Sequence, residues 1–205
     1  MGTIVVATGN AGKLREIRAA FAGRDVELPS SGQMGIGAAD EPFGTFMENA
    51  LAKARYAAKK TKLPALADDS GLVVAALGGK PGVLSARYSG ADATDAANNA
   101  KLLRALRMMA KKQNGNICRD AFYYAAMVFV RCADDPAPVF AEGFWRGEIL
   151  ASMRGDGGFG YDPLFYDPAA KKTGAQMSPF EKNRRSHRGK SLRAIIRLLI
   201  ERGLL

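Results

Sequence analysis

The string Leu66-Ala67-Asp68-Asp69-Ser70-Gly71 places two carboxylates directly after an apolar run. Holding carboxylates at a buried strand end is costly unless positive charge lies beside them, and a divalent cation would supply it. One aspartate would then coordinate magnesium while the other orients or deprotonates a water, which is metal-assisted hydrolysis. Adjacent extended residues point to opposite faces, so a shared site requires the chain to turn, and Ser70-Gly71 is the turn signal. The competing reading is a solvated Asp-Asp-Ser-Gly turn.

A second group is Thr8-Gly9-Asn10-Ala11-Gly12-Lys13. Its glycines permit close backbone approach, and Lys13 adds charge beside the start of an expected helix, an arrangement that suits an anion. It is not a Walker motif, which needs four residues between its glycines and a hydroxyl residue after the lysine; Gly9 and Gly12 enclose two, and Leu14 follows. An ordinary strand-to-helix turn fits the same string.

Glu41 and Glu48 are further carboxylates, and Asn49 and Lys53 lie one helical turn apart, a spacing also common in surface pairs. Gly157-Gly158-Phe159-Gly160-Tyr161-Asp162-Pro163 combines mobile backbone, two rings and one acid, the parts of a base-stacking pocket with a polar reader, or of a structural loop with a ring in the core. Ser186-His187-Arg188-Gly189-Lys190 holds the single histidine, a poor zinc ligand without partners. Its donors match phosphate or a keto oxygen, while the bland alternative is a solvated basic helix start.

Those residues need elements to carry them. The apolar run 3–7 reads as a buried strand entering a loop, followed by a helix with Leu14, Ile17, Arg18 and Phe21 at helical spacing and Gly23 at its end. Residues 25–28 suggest a short strand, 45–60 an alanine-rich helix, and 94–112 a helix with Asn99, Leu102, Leu103, Leu106, Met109 and Ala110 on one face. Residues 122–132 and 139–149 read as a long antiparallel hairpin, and Leu192, Ile195, Ile196 and Leu199 as a closing helix. The mixture predicts an α/β fold with a mixed sheet, in one domain spanning 1–205.

Composition limits the partners. Lysine and arginine outnumber aspartate and glutamate 30 to 20, a formal charge of +10 that favours a polyanion, but apart from a concentration at Lys182 to Arg193 the charge is dispersed and forms no basic tail, which weighs against a nucleic-acid partner. Cys118 and Cys132 form neither a disulfide framework nor a metal motif, so a reducing cytoplasm is expected. No leader segment and no run of about 20 apolar residues points to a membrane.

The strings ATGNAGKLREI at 7–17, TFMENALAKA at 45–54, LADDSGLVVAALGGKPGVLSARYSG at 66–90, GGFGYDPLF at 157–165 and SHRGKSL at 186–192 together resemble the inosine triphosphate pyrophosphatase family, enzymes that clear non-canonical purine nucleoside triphosphates. The resemblance runs from Ile4 to about Leu192. It implies an elongated mixed β-sheet with flanking helices in two lobes around a cleft, a homodimer, and magnesium-dependent hydrolysis of the α-β phosphoanhydride. By the same resemblance Thr8, Gly9, Asn10, Ala11, Gly12 and Lys13 hold the triphosphate, with Lys53 as a second cation. Glu41, Asp68 and Asp69 would be metal ligands, Asp69 also the general base, and Ser70 a backbone contact. Phe159, Gly160, Tyr161, Asp162, Lys182, His187 and Arg188 would form the base pocket. The chain departs from the family pattern at Asn183-Arg184-Arg185, where small or apolar residues are usual, and the choice between Asp40 and Glu41 as ligand stays open. Two rivals remain: a pyrophosphatase of another base preference, and a basic nucleic-acid-binding module, which leaves Asp68-Asp69 unexplained.

Overall fold

The first apolar run folds as two short strands, β1 (Gly2–Thr3) and β2 (Val5–Val6), in a computed structural model that describes residues 2–112, 114–115 and 117–205. The split reflects where its amides go: Ile4 N and Val6 N donate to Glu27 O and Pro29 O, whereas Val5 N and Ala7 N donate to Pro64 O and Leu66 O. Thus β1 pairs in parallel with β3 (Val26–Glu27), and β2 with β4 (Ala65–Val74).

The helices begin where their caps allow. Asn10 accepts from Lys13 N and starts α1 (Ala11–Ala20), and Thr45 caps α2 (Phe46–Thr61) by accepting from Glu48 N. Glu48 in turn accepts from the Thr45 hydroxyl, which makes that carboxylate part of a cap. After α3 (Asp95–Lys112) come the long strands β5 (Asp120–Val130) and β6 (Val139–Ile149), then β7 (Phe165–Asp167) and β8 (Lys172–Thr173). Two helices close the chain, α4 (Pro179–Arg185) and α5 (His187–Glu201). No expected element corresponds to α4, although Ser178, Pro179 and Glu181 supply its N-cap, first-turn proline and first-turn acid.

The six-stranded sheet runs β2-β4-β5-β6-β7-β8, with β2 and β4 parallel and β6, β7 and β8 successively antiparallel. This is the mixed sheet with flanking helices expected of the α/β class. Two compact units divide the chain: residues 1–69, 125–143 and 187–205 form the first, and residues 70–124 and 144–186 the second. Each has its own core. In the first, Val6, Ile17, Phe21, Leu66, Met127 and Phe129 pack with Leu192, Ile195, Ile196 and Leu199 of α5. In the second, Leu72, Leu102, Leu106, Tyr123, Trp145 and Phe165 are the centre. Among the described residues no helix is long and apolar enough to cross a membrane.

One expectation is overturned. The chain does not turn at Ser70-Gly71: β4 continues unbroken through Asp68, Asp69, Ser70 and Gly71 to Val74. The ladder is retained because both aspartates find cations without a turn.

The loop between β5 and β6 is held by a buried carboxylate. Asp135 accepts from Arg131 N, Arg131 Nε and Nη2, and Ala137 N. Asp135→Ala leaves those donors without their acceptor, so urea unfolding is expected to show a loss of about 1–3 kcal/mol. A loss below about 0.5 kcal/mol would mean that water replaces the carboxylate without penalty.

Candidate active site

A cluster of buried charges in the first unit grows out of β4. Asp68 Oδ2 lies 2.9 Å from Lys13 Nζ and 3.2 Å from Arg188 Nε. Lys13 stands in the first turn of α1 and Arg188 is the second residue of α5, so two helix starts deliver their cations to one carboxylate. Arg188 Nη1 also meets Glu16 Oε2 at 2.7 Å. Glu16 was not among the sequence candidates; its only signal is its place one turn beyond Lys13. The segment 186–190 is therefore not a solvated helix start, since Ser186, His187 and Arg188 are all buried. Gly143 on β6 shows how close the packing is: a Cβ there would fall 2.0 Å from His187 O.

The adjacent carboxylate serves a different lysine. Asp69 Oδ1 and Glu41 Oε1 each lie 2.8 Å from Lys53 Nζ on α2. Asn49, one turn before Lys53, donates to Phe43 O and accepts from Phe43 N, which fastens the segment carrying Glu41. Glu41 thus reaches this group, whereas Asp40 is exposed. Ser70, next along β4, is partly buried.

These neighbours act differently on the two aspartates. Burial alone would raise the Asp68 pKa, but Arg188 and then Lys13 hold it well below the ordinary carboxylate range. Burial raises the Asp69 pKa and prevails over the opposing pull of Lys53 and Lys13. Burial lowers the Lys13 pKa, against the attraction of Asp68. It also pulls on Lys53, but Asp69 and Glu41 outweigh it and the pKa is raised. Asp68 is the fixed counter-charge of the group, and Asp69 the carboxylate able to take a proton.

The cluster can be tested against a divalent cation. Asp69 Oδ2 is buried and has no hydrogen-bond partner, which an oxygen-seeking ion or a water would correct. Among the described residues no group of three or more His, Cys, Asp and Glu side chains is assembled to hold an ion. Asp69 and Glu41 nevertheless fit one, as hard oxygen donors held by a single lysine.

The loop from Thr8 leads directly into Lys13. Gly9, Asn10 and Ala11 are exposed, Thr8 and Gly12 half-buried, and Asn10 N donates to Thr8 Oγ1 at 3.2 Å. Its side chains are ordered by capping, while the loop surface remains accessible.

The aromatic loop belongs to the second unit. Tyr161 is buried and its hydroxyl donates to Ser85 O at 2.8 Å, so this ring anchors the loop in the core. Burial, followed by the charges of Tyr88 and Asp95, pushes its hydroxyl pKa far up. Phe159 is half-buried, and Lys182 Nζ sits 4.5 Å from its ring centroid. Asp162 Oδ2 accepts from Phe159 N at 2.8 Å and from Lys182 Nζ at 2.5 Å. Gly158, at φ +75°, is required here because a Cβ would fall 2.2 Å from Asp162 Oδ2.

A mixed α/β fold carrying buried lysine-carboxylate pairs beside an anion-suited loop defines a phosphate-handling protein, and the chain belongs to the Ham1 family, whose model matches residues 4–198. It is 51% identical over 201 residues to the dITP/XTP pyrophosphatase of Nitrosomonas europaea, covering 98% of this chain and 96% of that one. Against the dITP/XTP pyrophosphatase of Burkholderia pseudomallei identity is 50%, over 97% of this chain and 93% of that one. The solved HAM1 protein of Coxiella burnetii superposes with a TM-score of 0.90 at 42% identity, covering 98% of this chain and 100% of that one.

Proposed function

We infer that this protein is a nucleoside triphosphate pyrophosphatase that hydrolyses inosine, deoxyinosine and xanthosine triphosphates to the monophosphate and pyrophosphate. The observation that carries the chemistry is the pair of neighbouring aspartates on β4, one held ionised by Lys13 and Arg188, the other buried with a raised pKa. The similarity to two dITP/XTP pyrophosphatases supports the base class.

In this reading the loop 8–13 and Lys13 receive the phosphates that leave as pyrophosphate, with Lys53 adding charge where it develops on the bridging oxygen. Asp69 takes the proton of the attacking water at Oδ2, the oxygen left open in the structure. Asp69 and Glu41 would hold the cation, which we take to be magnesium; Asp68 would join them only by loosening its bonds to Lys13 and Arg188. Bound there, the metal neutralises phosphate charge. Donors presented to purine position 6 welcome a keto oxygen and reject an amino group, and we assign this task to the 159–162 loop with Lys182, His187 and Arg188. The fold is read as one domain, since neither unit is a continuous stretch of chain. A homodimer and a cytoplasmic location complete the proposal, the latter consistent with the free thiols of Cys118 and Cys132.

The test is pyrophosphate release from inosine, xanthosine, guanosine and adenosine triphosphates, with and without magnesium. Inosine and xanthosine triphosphates are expected to react at least about 100-fold faster than adenosine triphosphate, with activity lost to chelator and restored by magnesium. Equal rates with inosine and adenosine triphosphates would sink the base assignment.

A further inference from the structure

We propose that Asp95 and Asn99, on one face of α3, are positioning residues that clamp the peptide groups of Gly160 and thereby set base discrimination. The inference rests on reading 159–162 as the base-recognition loop. Gly160 N donates to Asp95 Oδ2 at 2.6 Å, and Asn99 Nδ2 donates to Gly160 O at 2.8 Å. The same Asn99 nitrogen donates to the backbone carbonyl of Asp95 at 2.8 Å, so the Asn99 amide is also fixed to the residue one helical turn before it on α3. Gly160 therefore has its donor and its acceptor both claimed by α3, at a φ of +64° that favours glycine.

The clamp stands between the two rings of the loop. Immediately before it is Phe159, whose ring carries the Lys182 ammonium and whose N–H binds Asp162. Immediately after it is Tyr161, pinned to Ser85 O. Asn98 holds that same region from α3, donating to Ser85 O and Ala86 O and accepting from Ser89 N. The consecutive asparagines thus divide the work: Asn98 secures the segment beneath Tyr161, and Asn99 secures Gly160 itself. Asn99 is buried and serves the fold as well, but Asp95 is exposed, so its arm of the clamp adds little to the core. Its carboxylate does little for burial, and its bond to Gly160 governs where Phe159 stands.

The test compares Asp95→Ala and Asp95→Asn with wild type in magnesium, measuring kcat and KM for inosine and adenosine triphosphates together with the melting temperature. Loss of one hydrogen bond to a charged acceptor corresponds to roughly tenfold. We expect Asp95→Ala to raise KM for inosine triphosphate by about that factor, with kcat held within about threefold. The inosine-to-adenosine ratio of kcat/KM should fall by a similar factor. Asp95→Asn, which keeps an acceptor oxygen, should recover most of it. Asn99→Asp, which puts a second acceptor against Gly160 O, should reproduce the loss. An Asp95→Ala enzyme with wild-type KM and wild-type ratio overturns the proposal, as does one whose kcat falls equally for both nucleotides at unchanged KM. If wild type releases pyrophosphate from neither nucleotide, the reading of the function fails first.

Discussion

Asp69→Asn is expected to lower kcat for pyrophosphate release by about 10²–10⁴-fold, the usual cost of removing a positioned general base. The substitution keeps an acceptor for Lys53 at the position of Oδ1, 2.8 Å from Nζ, and removes the one oxygen able to take a proton from water. Stability should move the other way. Burial raises the Asp69 pKa, so above the unfolded value of about 3.9 the folded chain retains a proton that the unfolded chain has released. Stability therefore declines as pH rises through that window to the folded value, and above it the ionised carboxylate remains a burden on the fold. A neutral amide removes that burden, so Asp69→Asn should melt at the same temperature as wild type or higher. Full activity in this variant would refute the role of Asp69, and a lower melting temperature would mean that its charge is stabilising.

The second large effect concerns Arg188. Its guanidinium joins Asp68 on β4 to Glu16 on α1 while nearly wholly buried. Arg188→Met preserves much of the stem and deletes both ion pairs, leaving Asp68 with Lys13 alone. Breaking a buried pair by removing one partner costs about 3–5 kcal/mol; with Lys13 retained, the lower end is expected, a fall of roughly 10 °C in Tm. The pH profile supplies an independent check. Because Asp68 has a depressed pKa in the folded state, its contribution is complete above the unfolded value of about 3.9 and disappears as pH falls toward the folded one. The variant should lose less stability than wild type on acidification. Arg188→Lys, which keeps charge without the two-pronged geometry, should fall between them. A Tm within a degree of wild type would show that the pairs contribute nothing net.

Much of the fold was legible because its signals are local. The alanine-rich composition of 45–60 announces α2, and the spacing of Leu192, Ile195, Ile196 and Leu199 announces the buried face of α5. The long apolar runs became β5 and β6 within two residues of expectation. The break between β1 and β2 was not legible, because it depends on strands that arrive from residues 26–27 and 65–66. The same holds for Tyr161: its aromatic character was plain, but only the packed second core shows its hydroxyl on Ser85 O.

The Asp68-Asp69 pair marks the same boundary. Sequence by itself determined that two carboxylates follow an apolar strand, that burying them there would call for positive charge, and that the surrounding strings resemble those of a phosphate-handling family. It did not determine which cation meets which carboxylate, and it suggested a turn that does not form. Those outcomes depend on helices whose residues lie far along the chain, with Lys13 and Arg188 converging on Asp68 and Lys53 bringing Glu41 to Asp69. Local propensity acts over a few neighbouring residues, whereas the burial and charge that separate the two aspartates exist only once those helices have packed against β4.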